Sequence, residues 1–292
     1  MDKQRENELK IKANLIRQDI IKMIGSAGSG HPGGSLGLTD VFTALYFEVL
    51  NQNPKKPMWE NRDRLILSNG HIVPVRYASM ARAGYFPVSK LKSFRKFNSQ
   101  LQGHPSIHDF PEMECSSGPL GQGISVAVGL ALAARLDNKD YQIYCVMGDG
   151  EINEGQCWEA FLLATKEKLS NLTIILDRNN IQIDGTSDEI LPLNPLIDKF
   201  KAFNFKVISV DGHNFSEIIK ACREAKKQKT FQSAGAVKPT MIIAKTIPGK
   251  GVSFMEHDHN WHGNAPKGEQ ITDALNELNK ELEVLKQESM KV

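Results

Sequence analysis

The stretch that most constrains the fold is Tyr141–Gly185, YQIYCVMGDGEINEGQCWEAFLLATKEKLSNLTIILDRNNIQIDG. It reads as a strand, a glycine-acid turn, a helix, a second strand and a second polar turn rich in amides. Two runs of buried-strand type, Tyr141–Met147 and Leu172–Asp177, flank a helix expected over Glu154–Lys168. A βαβ unit of this kind makes its two strands parallel and brings both polar turns to the same edge of the sheet. Asp149 ends the first strand and Asn179 follows the second, with 28 residues between Gly150 and Asn179. A carboxylate and an amide side by side at the carboxyl ends of parallel strands suit a hard divalent cation carrying a diphosphate.

The rest of the chain supports a parallel sheet. Helices are expected over Leu9–Ile24, ending at Gly25, over Thr39–Leu50, over His71–Ala83 with an interruption at Pro74, near Leu91–Phe97, and from about Gln122. Short strands are expected at Arg64–Ser68, Phe205–Val210 and Thr240–Thr246. Further helices follow at Pro195–Phe203, Asn214–Gln228 and Glu269–Glu288. Helices alternating with short apolar strands predict an α/β fold, a doubly wound parallel sheet with helices on both faces. No internal repeat, low-complexity tract or flexible linker interrupts it, so residues 1–292 are expected to form a single domain.

Composition excludes several function classes. Lys+Arg of 36 against Asp+Glu of 34 gives a formal charge of +2, which forces neither a nucleic-acid nor an anionic-membrane reading. No apolar run approaches the roughly 18 residues of a membrane span, and the charged start MDKQRENELKIK is no signal peptide. Cys115, Cys145, Cys157 and Cys222 form no CxxC pair and read as reduced thiols of a cytoplasmic protein.

Three further motifs carry chemistry. Gly28–Gly33, GSGHPG, matches the GxGxxG string, but a dinucleotide fingerprint needs a strand before it and here a helix precedes it. Its glycines instead let the backbone pass close to something at the site, with His31 pointing at it. SSGPLGQG, Ser116–Gly123, is either an anion site at a helix N-terminus or an ordinary tight turn. His31, His71, His104 and His262 each sit in a glycine-rich loop or at an element boundary: SGHPGG, SNGH, QGHPS and NWHG. Four such histidines suggest a cluster working on a polyhydroxylated substrate, and they lack zinc-site spacing. His108, His213, His257 and His259 read as surface residues.

Together these motifs resemble the transketolase family, thiamine diphosphate enzymes that move two-carbon ketol units between sugars. The similarity runs from SGHPGGSLG through SNGH, LQGHP, GPLGQG, GDG…EG…WEA and DRNNIQIDG to WHG, across most of the chain. It implies the thiamine diphosphate-binding fold, with Asp149, Asn179 and the Ile181 carbonyl binding magnesium or calcium. It places Gly118, Leu120, Gly150, Glu151 and Ile183 against the cofactor, with His71 and His262 near its diphosphate. His31 and His262 are implied to move protons from the donor's hydroxyls, and His71 and His104 to hold its C1 hydroxyl. Glu154 and Glu159 are implied to join a carboxylate network between subunits. Departures are local: Ile72 is bulky, Ser106 stands where many members have an acid, and Arg76 is either a modifier of substrate reach or, as the simpler reading, a solvated arginine.

The resemblance covers the diphosphate-binding part of the family. The pyrimidine-binding domain, with the glutamate that activates the cofactor, and the C-terminal domain are expected in a partner. The chain is therefore expected to be the N-terminal subunit of a split transketolase, inactive alone and completed by a C-terminal subunit in an α2β2 heterotetramer acting on sugar phosphates, with no nucleic acid or membrane involved. Alternatives are a split transketolase specialised for an unusual sugar, a pyruvate-using deoxyxylulose-phosphate synthase, which Glu154–Gly155 argues against, and a non-catalytic regulatory subunit.

Overall fold

The structure is a computed structural model that describes residues 1–227 and 237–290. Five parallel strands form one sheet: β1 (Arg64–Leu67), β2 (Ile143–Gly148), β3 (Leu172–Arg178), β4 (Lys206–Asp211) and β5 (Thr240–Lys245), in the order β1-β2-β3-β5-β4. The β2–β3 register runs from Ile143 opposite Leu172 to Gly148 opposite Asp177. That register brings the two polar turns to one edge, as the βαβ pattern predicts.

Alternate strand residues feed two separate cores, as a sheet covered on both faces requires. Leu65, Leu67, Tyr144, Val146, Ile175 and Ile242 pack under α1 (Lys3–Ala27), α3 (Thr39–Ala44), α4 (Val73–Ala83), α9 (Phe215–Lys226) and α10 (Glu269–Ser289). Ile66, Ile143, Cys145, Met147, Ile174 and Ile243 pack under α5 (Gln122–Leu136), α6 (Gly155–Lys166) and α8 (Leu196–Ala202). The four cysteines are buried and unpaired. Among the described residues no helix is long and apolar enough to cross a membrane.

Several element ends differ from expectation for identifiable reasons. α1 runs through Gly25 and stops at Gly28, whose φ of 65° gives a left-handed C-cap. Gly25 lies under Ile271 of α10, where an added Cβ would come within 2.7 Å, so it serves helix contact rather than termination. Pro74 sits in the first turn of α4 and opens it instead of interrupting it. The predicted helix Thr39–Leu50 is α3 followed by a single π turn, Leu45–Val49. The one near Leu91–Phe97 is a 3-10 segment, Val88–Ser93. Two short helices were not foreseen: α2 (Pro32–Gly37), inside the glycine-rich segment, and α7 (Ser187–Ile190), set by a capping box of Thr186 and Glu189. The expected end of the Asn214–Gln228 helix, Gln228, lies outside the described residues.

Candidate active site

A cavity of about 360 Å³ opens at the carboxyl edge of β2 and β3. Asp149 continues β2, its N–H donating to the Asp177 carbonyl at 3.0 Å, and its side chain is 1% exposed. Its Oδ1 accepts from the Gly150 N–H at 2.7 Å and the Ser187 hydroxyl at 3.1 Å. Its Oδ2 accepts from Arg178 Nη1 at 2.6 Å and the Asn180 N–H at 2.8 Å. Burial raises the Asp149 pKa, and the Arg178 guanidinium opposes that rise. Across the turn, the Asn179 side-chain oxygen accepts from the Ile181 N–H at 3.0 Å and its amide donates to Asp177 at 2.7 Å.

The four loop histidines converge on the same cavity. Ring centroids lie 4.9 Å apart for His31–His71, 5.2 Å for His71–His262, 5.7 Å for His31–His262 and 6.5 Å for His31–His104. Burial, with the neighbouring His262, Arg95 and His104, holds His31 down to about 4. Burial also lowers His71, His262 and His104, the last with help from Arg95. All four rings are therefore neutral near pH 7, able to accept a proton. The Nδ1 atoms of His31 and His262 are buried without a protein partner, as are Asn69 Oδ1 and the Ser117 hydroxyl beside the cavity. Such orphaned polar groups cost stability unless a ligand or water pairs with them.

The glycine motifs resolve into packing. Gly33 and Gly34 allow close approach to protein rather than to a ligand. An added Cβ would lie 3.0 Å from the Trp261 carbonyl and 2.9 Å from Ile72, respectively. The turn before α5 faces an internal anion: Glu151, 2% exposed, accepts from the Gly121 N–H at 2.8 Å, the Gly148 N–H at 3.1 Å and the Ser68 hydroxyl. One buried carboxylate thus ties together the loops carrying His71, Leu120 and Asp149.

Of the residues singled out from sequence, His31, His71, His104, Gly118, Leu120, Asp149, Gly150, Glu151, Asn179, Ile181, Ile183 and His262 all line the cavity. Glu154 and Glu159 do not. They are exposed, on the N-terminal side of α6, whose outer face also exposes Leu162 and Leu163. Arg76 is not solvated, correcting the simpler reading. It is 2% exposed and donates to the carbonyls of Met113 at 3.1 Å and Glu112 at 3.2 Å, anchoring the loop between His104 and Gly118. His213 is no surface residue either. Its Nε2 accepts from the Ile247 N–H at 2.8 Å, which leaves the proton on Nδ1 to donate to Asp40 at 2.7 Å. Sequence reasoning missed Asn69, Asp177 and Gln182 as cavity residues, and Arg178 as the partner of Asp149. All four lie in the strings SNGH and ILDRNNIQIDG, so position beside the chosen residues was the available signal.

Fold, cavity and histidine cluster together define a member of the transketolase family. The chain matches the family described as transketolase, thiamine diphosphate binding domain, over residues 9–285, and it belongs to that family of transferases. It is 42% identical to the 6-deoxy-6-sulfo-D-fructose transketolase subunit SqwG of Clostridium sp. (strain MSTE9), over 94% of this chain and 97% of that one. It is 37% identical to an apulose-4-phosphate transketolase subunit of Phocaeicola vulgatus, over 96% and 97%. The transketolase of Campylobacter jejuni superposes with a TM-score of 0.85 at 38% identity, covering 96% of this chain and 43% of that chain. The chain therefore spans less than half the length of that solved transketolase and nearly the whole of the two subunit-type relatives.

The residues present fit the cofactor and metal of that family. Asp149, Asn179 and the Ile181 main chain offer hard oxygen donors of the kind magnesium takes. Among the described residues no three His, Cys, Asp or Glu side chains are grouped so as to hold a metal by themselves. The orphaned polar atoms beside the cavity fit a polar ligand there.

Proposed function

We propose that this chain is the diphosphate-binding subunit of a two-component transketolase that takes a two-carbon ketol unit from a ketose bearing an anionic end group. The observation that carries the reading is the convergence of four neutral histidines on the cavity that also holds Asp149 and Asn179. Asp149, Asn179 and the Ile181 carbonyl hold the metal and, through it, the diphosphate. Gly118, Leu120, Gly150, Glu151 and Ile183 form the surrounding wall, with His71 and His262 beside the diphosphate. When bound, thiamine diphosphate supplies the electron sink that lets the ketose C2–C3 bond break. Either His31 or His262 accepts the proton of the donor's C3 hydroxyl, each ring being neutral and so free to take it. His71 and His104 hold the C1 hydroxyl.

The partner is the polypeptide that carries the pyrimidine-binding half of the site, in an α2β2 assembly, with residues 1–292 as one domain of that assembly. Two features support it. Ile183, at the cavity rim, is an apolar side chain 68% exposed, and Leu162 and Leu163 are 58% and 41% exposed on the same helix as Glu159. A partner seated on the cavity rim and on the outer face of α6 would cover these side chains. The relatives named for 6-deoxy-6-sulfo-D-fructose and apulose-4-phosphate favour a specialised anionic sugar over a general one. The test is to co-purify the chain with a pyrimidine-binding transketolase partner, then to assay sulfo- and phospho-ketoses with an aldose acceptor. Activity should need both chains, the metal and thiamine diphosphate. Turnover by this chain alone would overturn the two-component reading.

A further inference from the structure

We propose that Arg178 is a resident cation on Asp149, which the incoming metal displaces onto Asp188. The inference rests on the reading of Asp149 as a metal ligand and adds to it a competition built into the chain. A carboxylate offers about four good lone-pair positions, and at Asp149 four donors fill them. Gly150 N–H and the Ser187 hydroxyl stand on Oδ1, and Arg178 Nη1 and Asn180 N–H on Oδ2. A metal ion cannot take this carboxylate without one of the four leaving.

The four donors differ in how readily they leave. Two are main-chain N–H groups of the turns that form the site, fixed by the ends of β2 and β3. Ser187 is fully buried at the start of α7. Arg178 alone ends a long side chain and already has other acceptors: Nη1 also reaches Asn180 Oδ1 at 3.0 Å, and Nη2 reaches Asp188 Oδ1 at 2.7 Å. Asp188 is 41% exposed, while Asp149 is 1% exposed. Losing Asp149 therefore leaves the guanidinium paired, whereas losing Arg178 leaves Asp149 a buried, uncompensated anion unless another cation replaces it. The exchange of guanidinium for metal keeps both carboxylates neutralised. Metal affinity is set by the difference between two cation–carboxylate contacts rather than by one alone.

The proposal makes two variants move in opposite directions. Full-length chain is titrated with Mn²⁺ in the presence of thiamine diphosphate, and free Mn²⁺ is counted by electron paramagnetic resonance. Arg178→Gln should bind Mn²⁺ about tenfold or more tighter, because nothing has to be displaced. Asp188→Asn should bind several-fold weaker, because the displaced guanidinium has lost its second anion. Arg178→Lys, which keeps a cation but not the fork, should fall between wild type and Arg178→Gln, and it carries the test if the glutamine variant does not fold. A merely structural Arg178 predicts that loss of either partner shifts affinity the same way, and that result overturns the proposal, as does unchanged or weaker binding in Arg178→Gln. Asp149→Asn distinguishes failure of the proposal from failure of the metal-site reading beneath it. If it binds Mn²⁺ as wild type does, the metal-site reading itself fails. If it abolishes binding while Arg178→Gln shows no gain, only the displacement fails.

Discussion

Neutral histidines in the cavity make the fold sensitive to acid, and His31 allows the size of the effect to be worked out. Burial first, then the charges of His262, Arg95 and His104, hold its pKa down to about 4 from 6.5. A depressed folded-state pKa means that the unfolded chain takes the proton first. The stability contribution is full above the unfolded pKa near 6.5 and is lost as pH falls toward 4. At about 1.4 kcal/mol per pKa unit, the complete loss is about 3 kcal/mol, of which about 2 kcal/mol falls between about pH 7 and about pH 4.5. The assay is urea unfolding at those two pH values for wild type and His31→Gln, whose amide does not titrate. Wild type should lose about 2 kcal/mol more than the variant on acidification. Carboxylates contribute to both chains and cancel in the difference. His71 is itself lowered by His31, so removing His31 shrinks the acid sensitivity of His71 as well and adds to the effect. Equal acid losses in the two proteins would refute the claim that the cavity holds His31 neutral.

Three substitutions test the packing that shapes the site. Gly123→Ala places a Cβ 2.6 Å from Ser68 Cα, a main-chain atom that cannot swing aside; urea unfolding should show a loss of about 1–3 kcal/mol, and cofactor affinity should fall with it because Ser68 leads into Asn69 and His71. Arg76→Met strips a buried donor from the Glu112 and Met113 carbonyls and should cost about 2–4 kcal/mol, read by chemical denaturation; Arg76→Lys should not restore it, because one ammonium cannot reproduce the guanidinium fork. His213→Ala removes the acceptor for the Ile247 N–H and a donor to buried Asp40 and should cost about 1–3 kcal/mol by the same measurement.

What could be read from the sequence was whatever is local. Four of the five strands are short, near-continuous apolar runs of the kind a doubly covered parallel sheet needs, and β2–α6–β3 forces both polar turns to one edge whatever else the chain does. Asp149, Asn179 and the histidine loops followed from that geometry and from their glycine-rich settings. Several of the misses depend on a distant partner. Gly25 looks like a helix stop until Ile271 packs against it. Gly33 and Gly34 look like a ligand cradle until Trp261 and Ile72 occupy that space. His213 is one of eight histidines until Asp40 and Ile247 define its tautomer. Arg76 lacks any local sign of burial, because its acceptors are carbonyls, which every residue possesses.

The same contrast explains why the edge is built as it is. Asp149, Glu151 and Asp177 crowd the carboxyl ends of β2 and β3, and each is at most 2% exposed. They are neutralised by three different devices. Glu151 is met by two main-chain N–H groups and a hydroxyl, with no cation beside it among its hydrogen-bond donors. Asp177 is pushed up to about 7, by burial and then by the charge of Asp149, and is held by the Thr246 hydroxyl and the Asn179 amide. Asp149 alone has a full cationic partner, in Arg178. A divalent cation that arrives with a diphosphate would take the place of Arg178 on Asp149 and offset the diphosphate's own charge. Asp149 is the carboxylate at which that cation can be accepted, because its present partner is the one that can leave without becoming unpaired.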